Sequence, residues 1–89
     1  MLSLELSPRA LRDLRHLARP LADAVLTDLE ILRVLPWPGP PKVKRVQGTP
    51  YARLRTGGFR SLVMRSGSNV IVLRVVDRKN FEHALRNLQ

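Results

Sequence analysis

The heptapeptide VIVLRVV, residues 70–76, is apolar at every position except Arg74. Strands with one face in water alternate apolar and polar residues, so a run without alternation belongs to a strand covered on both faces. This stretch therefore obliges the rest of the chain to supply flanking strands and helical cover, and it predicts 70–76 as the central strand of a sheet. The preceding residues provide the neighbours. Residues 51–56 (YARLRT) alternate with a period of two, residues 59–65 follow, and the turn sequences Gly57-Gly58 and Ser66-Gly67-Ser68-Asn69 join the three segments into a meander.

The cover comes from the first 35 residues. Leu2, Leu4 and Leu6 alternate as in a short strand, after which Ser7 and Pro8 have the form of an N-cap and a first helical residue. Apolar residues at 10, 11, 14, 17 and 18 keep helical spacing to about Arg19, where Pro20 breaks or restarts the helix. A second helix is predicted from about 20 to 35, with Leu21, Ala22, Val25, Leu29 and Leu32 as its stripe and Pro36 as its stop. The segment PWPGPP, residues 36–41, suits an extended loop with Trp37 closing a core edge, and KVKRVQGTP, residues 42–50, a loop or edge segment. After the last strand, NFEHALRNLQ turns helical on Phe81, Ala84, Leu85 and Leu88. The predicted class is α+β, a small two-layer domain of order β-α-α-β-β-β plus a short C-terminal helix. Two antiparallel helices pack on a mainly antiparallel four-stranded sheet, and residues 1–89 are expected to form one domain.

Charge is unevenly distributed. Residues 1–40 hold five arginines and five acids, whereas residues 41–89 hold eleven Lys and Arg against Asp77 and Glu82, which accounts for the whole net charge of +9. Such asymmetry points to a polyanion, most often nucleic acid. The basic residues are also ordered. Arg53 and Arg55 share one strand face, and if the chain returns at Phe59, Arg55 stands opposite Arg60, whether the loop is Gly57-Gly58 or the four residues from Thr56 to Phe59. Like charges directly opposite each other destabilise a sheet, so the pair implies an anion held between them. Lys42, Lys44 and Arg45 are candidates to track a nucleic-acid backbone, or else a solvated loop. Tyr51 is a candidate for stacking on a base or for packing.

Other chemistry is thinly represented. The chain has no cysteine, which excludes disulfides and thiolate zinc sites. Asp77 and Glu82 have no spacing that joins them into a divalent-metal site, so metal-independent chemistry without a cofactor is expected. His83 has a suitable intrinsic pKa for proton transfer and falls one helical turn beyond Lys79, while His16 lies in the neutral half and reads as structural. The segment MLSLELSPRA has no basic n-region and no long apolar run follows, so a cytoplasmic location is expected, with no membrane partner.

The element order, with KVKRVQG, YARLRTGGFR and VVDRKNFEHAL, resembles the RelE/ParE superfamily, toxins of type II toxin-antitoxin systems. The resemblance implies a ribosome-dependent mRNA endoribonuclease that inhibits translation by attack of a ribose 2′-hydroxyl on the adjacent phosphate. It gives Arg53 a role in activating the 2′-hydroxyl or binding phosphate, Arg60 a role in stabilising charge on phosphorus, and Arg78 a place near the leaving oxygen. Lys79, Arg55 and His83 complete the candidate set. Tyr51 stands where some members carry a second basic residue, and Phe81, Glu82 and His83 stand where a tyrosine is often found, which leaves the acid and base open. The implied partners are an acidic cognate antitoxin, the ribosome and mRNA, with no small-molecule substrate. The same resemblance allows a ParE-like toxin acting on DNA gyrase without nuclease activity, or an inactive RNA-binding member.

Overall fold

A computed structural model of the chain describes residues 1–88. Strand β1 (Ser3–Leu6) leads into helix α1 (Pro8–Arg15), whose first turn is held by Ser7, its Oγ accepting the Ala10 N–H at 3.0 Å. Helix α2 spans Arg19–Leu29. The first helix stops short of the expected Arg19 because Pro20 sits in the opening turn of α2, where it lacks a hydrogen to donate and its ring would clash with the carbonyl four residues back. The second helix also ends earlier than expected. It tightens into a 3₁₀ turn at Glu30–Arg33, and Val34 is already extended. Trp37 donates its indole N–H to the Leu32 carbonyl at 2.9 Å and packs on the core, the edge-closing role its sequence position suggested.

Strands β2 (Val43–Arg45), β3 (Tyr51–Thr56), β4 (Phe59–Ser66) and β5 (Asn69–Asp77) follow, then a 3₁₀ turn at Arg78–Asn80 and helix α3 (Phe81–Arg86). The C-terminal helix was expected to begin at Arg78 or Lys79 and to run through Gln89, which lies outside the described residues. The sheet runs β1-β5-β4-β3-β2, with β1 parallel to β5 and all other neighbours antiparallel. Two expectations need correction. The sheet has five strands rather than four, because Val43–Arg45 pairs with β3 through Lys44↔Arg53. VIVLRVV lies within β5, which is interior but flanked by the outer strand β1, so β4 holds the middle.

The sheet divides the molecule. Ala52 and Leu54 of β3, Val63 of β4 and Val70, Val72 and Val75 of β5 join Ala10 and Leu14 of α1 and Val25 and Leu29 of α2 in one core. On the opposite face Leu62 and Val76, cross-strand partners of Arg53 and Arg60, are buried together with Ala84 of α3. Thus β5 is covered on both faces, by α1 and by α3.

Two aspartates tie the helices to the sheet. β1 pairs with β5 only from Ser3↔Asn69 to Leu6↔Val72, so the second half of β5 has no strand on that side. There α1 takes over. Ser7 Oγ donates to the Leu73 carbonyl at 2.9 Å, and Asp13 accepts the Val75 N–H at 2.9 Å and both Nε and Nη2 of Arg74 at 2.8 and 3.2 Å. From α2, Asp28 Oδ2 accepts from Lys42 Nζ and from Thr56 Oγ1, each at 2.7 Å. Burial alone would raise the Asp28 pKa, but the hydrogen bonds from Lys42 and Thr56 and the lysine charge outweigh it, and the net shift is downward. A carboxylate whose folded pKa lies below its unfolded value of about 3.9 contributes stability above that pH and loses it as the pH falls through the folded pKa. Asp28→Asn is therefore expected to cost about 1–2 kcal/mol in urea unfolding at neutral pH, with the difference from wild type closing as the pH falls through the folded pKa. A gap that persists unchanged into acid would assign the cost to packing instead.

Candidate functional site

The β3–β4 register pairs Thr56 with Phe59, so the loop is Gly57-Gly58 and Arg55 stands opposite Arg60, as the sequence predicts. Gly57 has φ +57°, a conformation side-chain-bearing residues rarely adopt, and this tight reversal brings the two arginines together. The turn partly offsets their repulsion. Arg60 Nη1 donates to the Gly57 and Phe59 carbonyls at 3.0 and 3.1 Å, and Arg55 Nε reaches the same Gly57 oxygen at 3.4 Å.

The end of β5 adds a further cation. The Arg78 N–H donates to the Gly58 carbonyl at 2.9 Å, which fastens the turn after β5 to the hairpin. Asp77 shapes that turn, accepting the Asn80 N–H at 2.9 Å and its side-chain amide at 3.0 Å. As a result Arg53, Arg55, Arg60 and Arg78 line one cleft with Phe81 and Glu82. Burial and the charges of Arg53, Arg55 and Arg78 push the Arg60 pKa below its usual value, the mark of crowded positive charge. An adjoining depression is lined by Lys44, Arg45, Val46 and Gln47 and shares Arg53, Phe81 and Glu82 with the first. The basic surface thus continues from β4 across β3 to β2. Each guanidinium offers a planar fork that matches two oxygens of a phosphate.

The remaining candidates lie elsewhere. Lys42 is engaged by Asp28 and lines neither depression. The Tyr51 hydroxyl donates to the Leu88 carbonyl at 3.3 Å, which anchors the segment after α3. Lys79 is exposed on the turn after β5. His83 lines a separate groove with His16, Asp13 and Arg74, and its Nε2 lies 3.1 Å from the Asn87 amide nitrogen. The expected Lys79–His83 helical face does not form, because Lys79 belongs to the 3₁₀ turn and α3 starts only at Phe81. Sequence reasoning passed over Phe81 and Glu82 as site residues. The signal for Glu82 is that it and Asp77 are the two acids of the basic half. Among the described residues no group of three metal-ligating side chains is placed to hold an ion, and no helix is long and apolar enough to cross a membrane.

This fold, a sheet with paired N-terminal helices on one face and gathered arginines on the other, is similar to that of chains in solved RelB-RelE and ParDE toxin-antitoxin structures. The RelB-RelE antitoxin-toxin complex from Methanococcus jannaschii contains a chain that matches with TM-score 0.69 at 21% identity, over 86% of this chain and 93% of that one. The archaeal RelE-RelB complex from Pyrococcus horikoshii OT3 matches with TM-score 0.74 at 19% identity, over 86% and 94%. The chromosomal ParDE toxin-antitoxin system of P. aeruginosa matches with TM-score 0.71 at 15% identity, over 86% and 96%. No family model and no curated protein matches the sequence. At these identities the likeness is one of fold, and function has to be argued from the site.

Proposed function

We propose that this chain is the toxin of a toxin-antitoxin pair, a cytoplasmic ribosome-dependent endoribonuclease whose arginine cleft cuts messenger RNA by attack of the 2′-hydroxyl on the adjacent phosphate. The observation that carries the reading is the convergence of Arg53, Arg55, Arg60 and Arg78 on one cleft, with no carboxylate within 4.0 Å of any of them among the described residues. Four cations gathered around a single unpaired carboxylate favour an anionic ligand, and the charge that develops on phosphorus in transesterification is what such donors stabilise. Arg53 binds or orients the nucleotide at the attacking side, Arg60 holds the phosphate oxygens, and Arg78 stands toward the leaving oxygen. Lys44 and Arg45 extend the same surface along the strand of RNA. An acidic antitoxin segment laid across this surface would neutralise it, and two of the similar structures are RelE complexes with RelB.

A second reading, a ParE-like toxin acting on DNA gyrase, is favoured by the likeness to the ParDE system. Adding the purified protein to a translation extract programmed with one defined message separates the two. Cuts at discrete positions of the message, absent when ribosomes are removed, are the expected result. Intact message together with gyrase-linked DNA breaks would overturn the nuclease reading in favour of the second.

A further inference from the structure

Transfer of a phosphodiester to its own 2′-hydroxyl needs a group that accepts the hydroxyl proton, and the arginines of the cleft stay protonated at neutral pH. We infer that Glu82 is that proton acceptor, an inference that rests on the nuclease reading. Glu82 is the carboxylate lining the arginine cleft, and it also lines the adjoining basic depression, so it stands where an RNA strand crossing both would pass. It is exposed, and among the described residues no hydrogen bond or ion pair within 4.0 Å occupies it. The alternatives are engaged or distant. Asp77 is committed to capping Asn80, the Tyr51 hydroxyl is committed to Leu88, and His83 opens into the groove on the other side of α3.

Successive residues of an α-helix point about 100° apart. Hence Glu82 can enter the cleft while its neighbour His83 leaves it. In the reaction the 2′-hydroxyl O–H bond breaks and its proton passes to a Glu82 carboxylate oxygen as the 2′ oxygen bonds to phosphorus. The bond from phosphorus to the 5′ oxygen breaks, and that oxygen takes a proton from water. The products are a 2′,3′-cyclic phosphate end and a 5′-hydroxyl end. Arg53 and Arg60 hold the phosphate so that a second negative group can share the site.

The test is single-turnover cleavage of one defined message on ribosomes, with the full chain and its Glu82→Gln and Glu82→Ala variants. Glu82→Gln is expected to melt within a few degrees of wild type and to cleave about 10²- to 10⁴-fold more slowly. Between about pH 6 and about pH 8 the wild-type rate should depend only weakly on pH. The Gln variant should accelerate by about tenfold per pH unit as hydroxide takes over the proton. Added formate should restore part of the rate to Glu82→Ala. Cleavage by Glu82→Gln within about threefold of wild type would overturn the inference. So would a slowed variant with a flat pH profile and no response to formate, the result expected if the residue only steadies the first turn of α3. A wild-type protein that cuts no message on the ribosome overturns the nuclease reading itself, which distinguishes that failure from the loss of Glu82's role alone.

Discussion

Replacing Arg60 with alanine is expected to leave the melting temperature unchanged or slightly raised while cutting RNA cleavage by about 100-fold or more. The two effects separate because Arg60 is poorly placed for stability. It faces Arg55 directly, and burial together with Arg53, Arg55 and Arg78 disfavours its charged form. Its own hydrogen bonds go to the Gly57 and Phe59 carbonyls of an exposed turn, and the Gly57 oxygen retains Arg55 as a donor when Arg60 is removed. On the proposed nuclease reading, what is lost is a preorganised charge aimed at the phosphate. Arg60→Lys should recover only part of the rate, because an ammonium cannot reproduce the bidentate fork. Affinity for single-stranded RNA should also become less sensitive to salt, the log-log slope shrinking by about 0.7 for one phosphate contact. Full activity in a folded Arg60→Ala protein would refute the assignment.

Asp13→Ala should act in the opposite way, with a large loss of stability and no direct effect on the cleft. The Asp13 and Arg74 side chains are only 18% and 15% exposed, and the carboxylate also takes the Val75 N–H of a strand segment that has no neighbour on that side. Truncation strands a nearly buried guanidinium and a backbone donor at once. A cost of about 3 kcal/mol is expected, or a fall in melting temperature of roughly 12–24 °C for a domain of this size. Asp13→Asn keeps an acceptor for Val75 and should fall between the two. Adding Arg74→Ala to Asp13→Ala should return part of the loss, since the unpaired charge is then gone. A single variant within about 0.5 kcal/mol of wild type would show that the pair contributes little beyond what solvent already provides.

These two arginines differ in how well the sequence announces them. The Arg55–Arg60 juxtaposition is readable because Gly57-Gly58 allows few registers and both plausible loops give the same pairing. The Asp13–Arg74 pair is not, since the residues lie 61 apart and meet only because β1 runs out beside Val72. Strand β2 is hidden for a similar reason. Three residues, two of them basic, carry no alternation of their own, and β3 imposes their conformation. The order of β5 and β4 in the sheet depends on the parallel pairing of β1, which no local pattern encodes. In the site, the strand arginines are legible by period two, whereas the choice between Glu82 and His83 turns on where α3 begins. Asp77 fixes that point by spending its side chain on Asn80, so that Arg78–Asn80 winds as a 3₁₀ turn and Lys79 is left off the helix.

The division of the molecule by its sheet has a genetic consequence. Along β3 the residues at 52, 54 and 56 face the core and those at 53 and 55 line the cleft. Consecutive codons therefore carry alternating phenotypes. A screen for lost function would return both kinds indiscriminately, as one unbroken stretch of sensitive positions, and only a parallel measurement of protein abundance would sort them into every other codon.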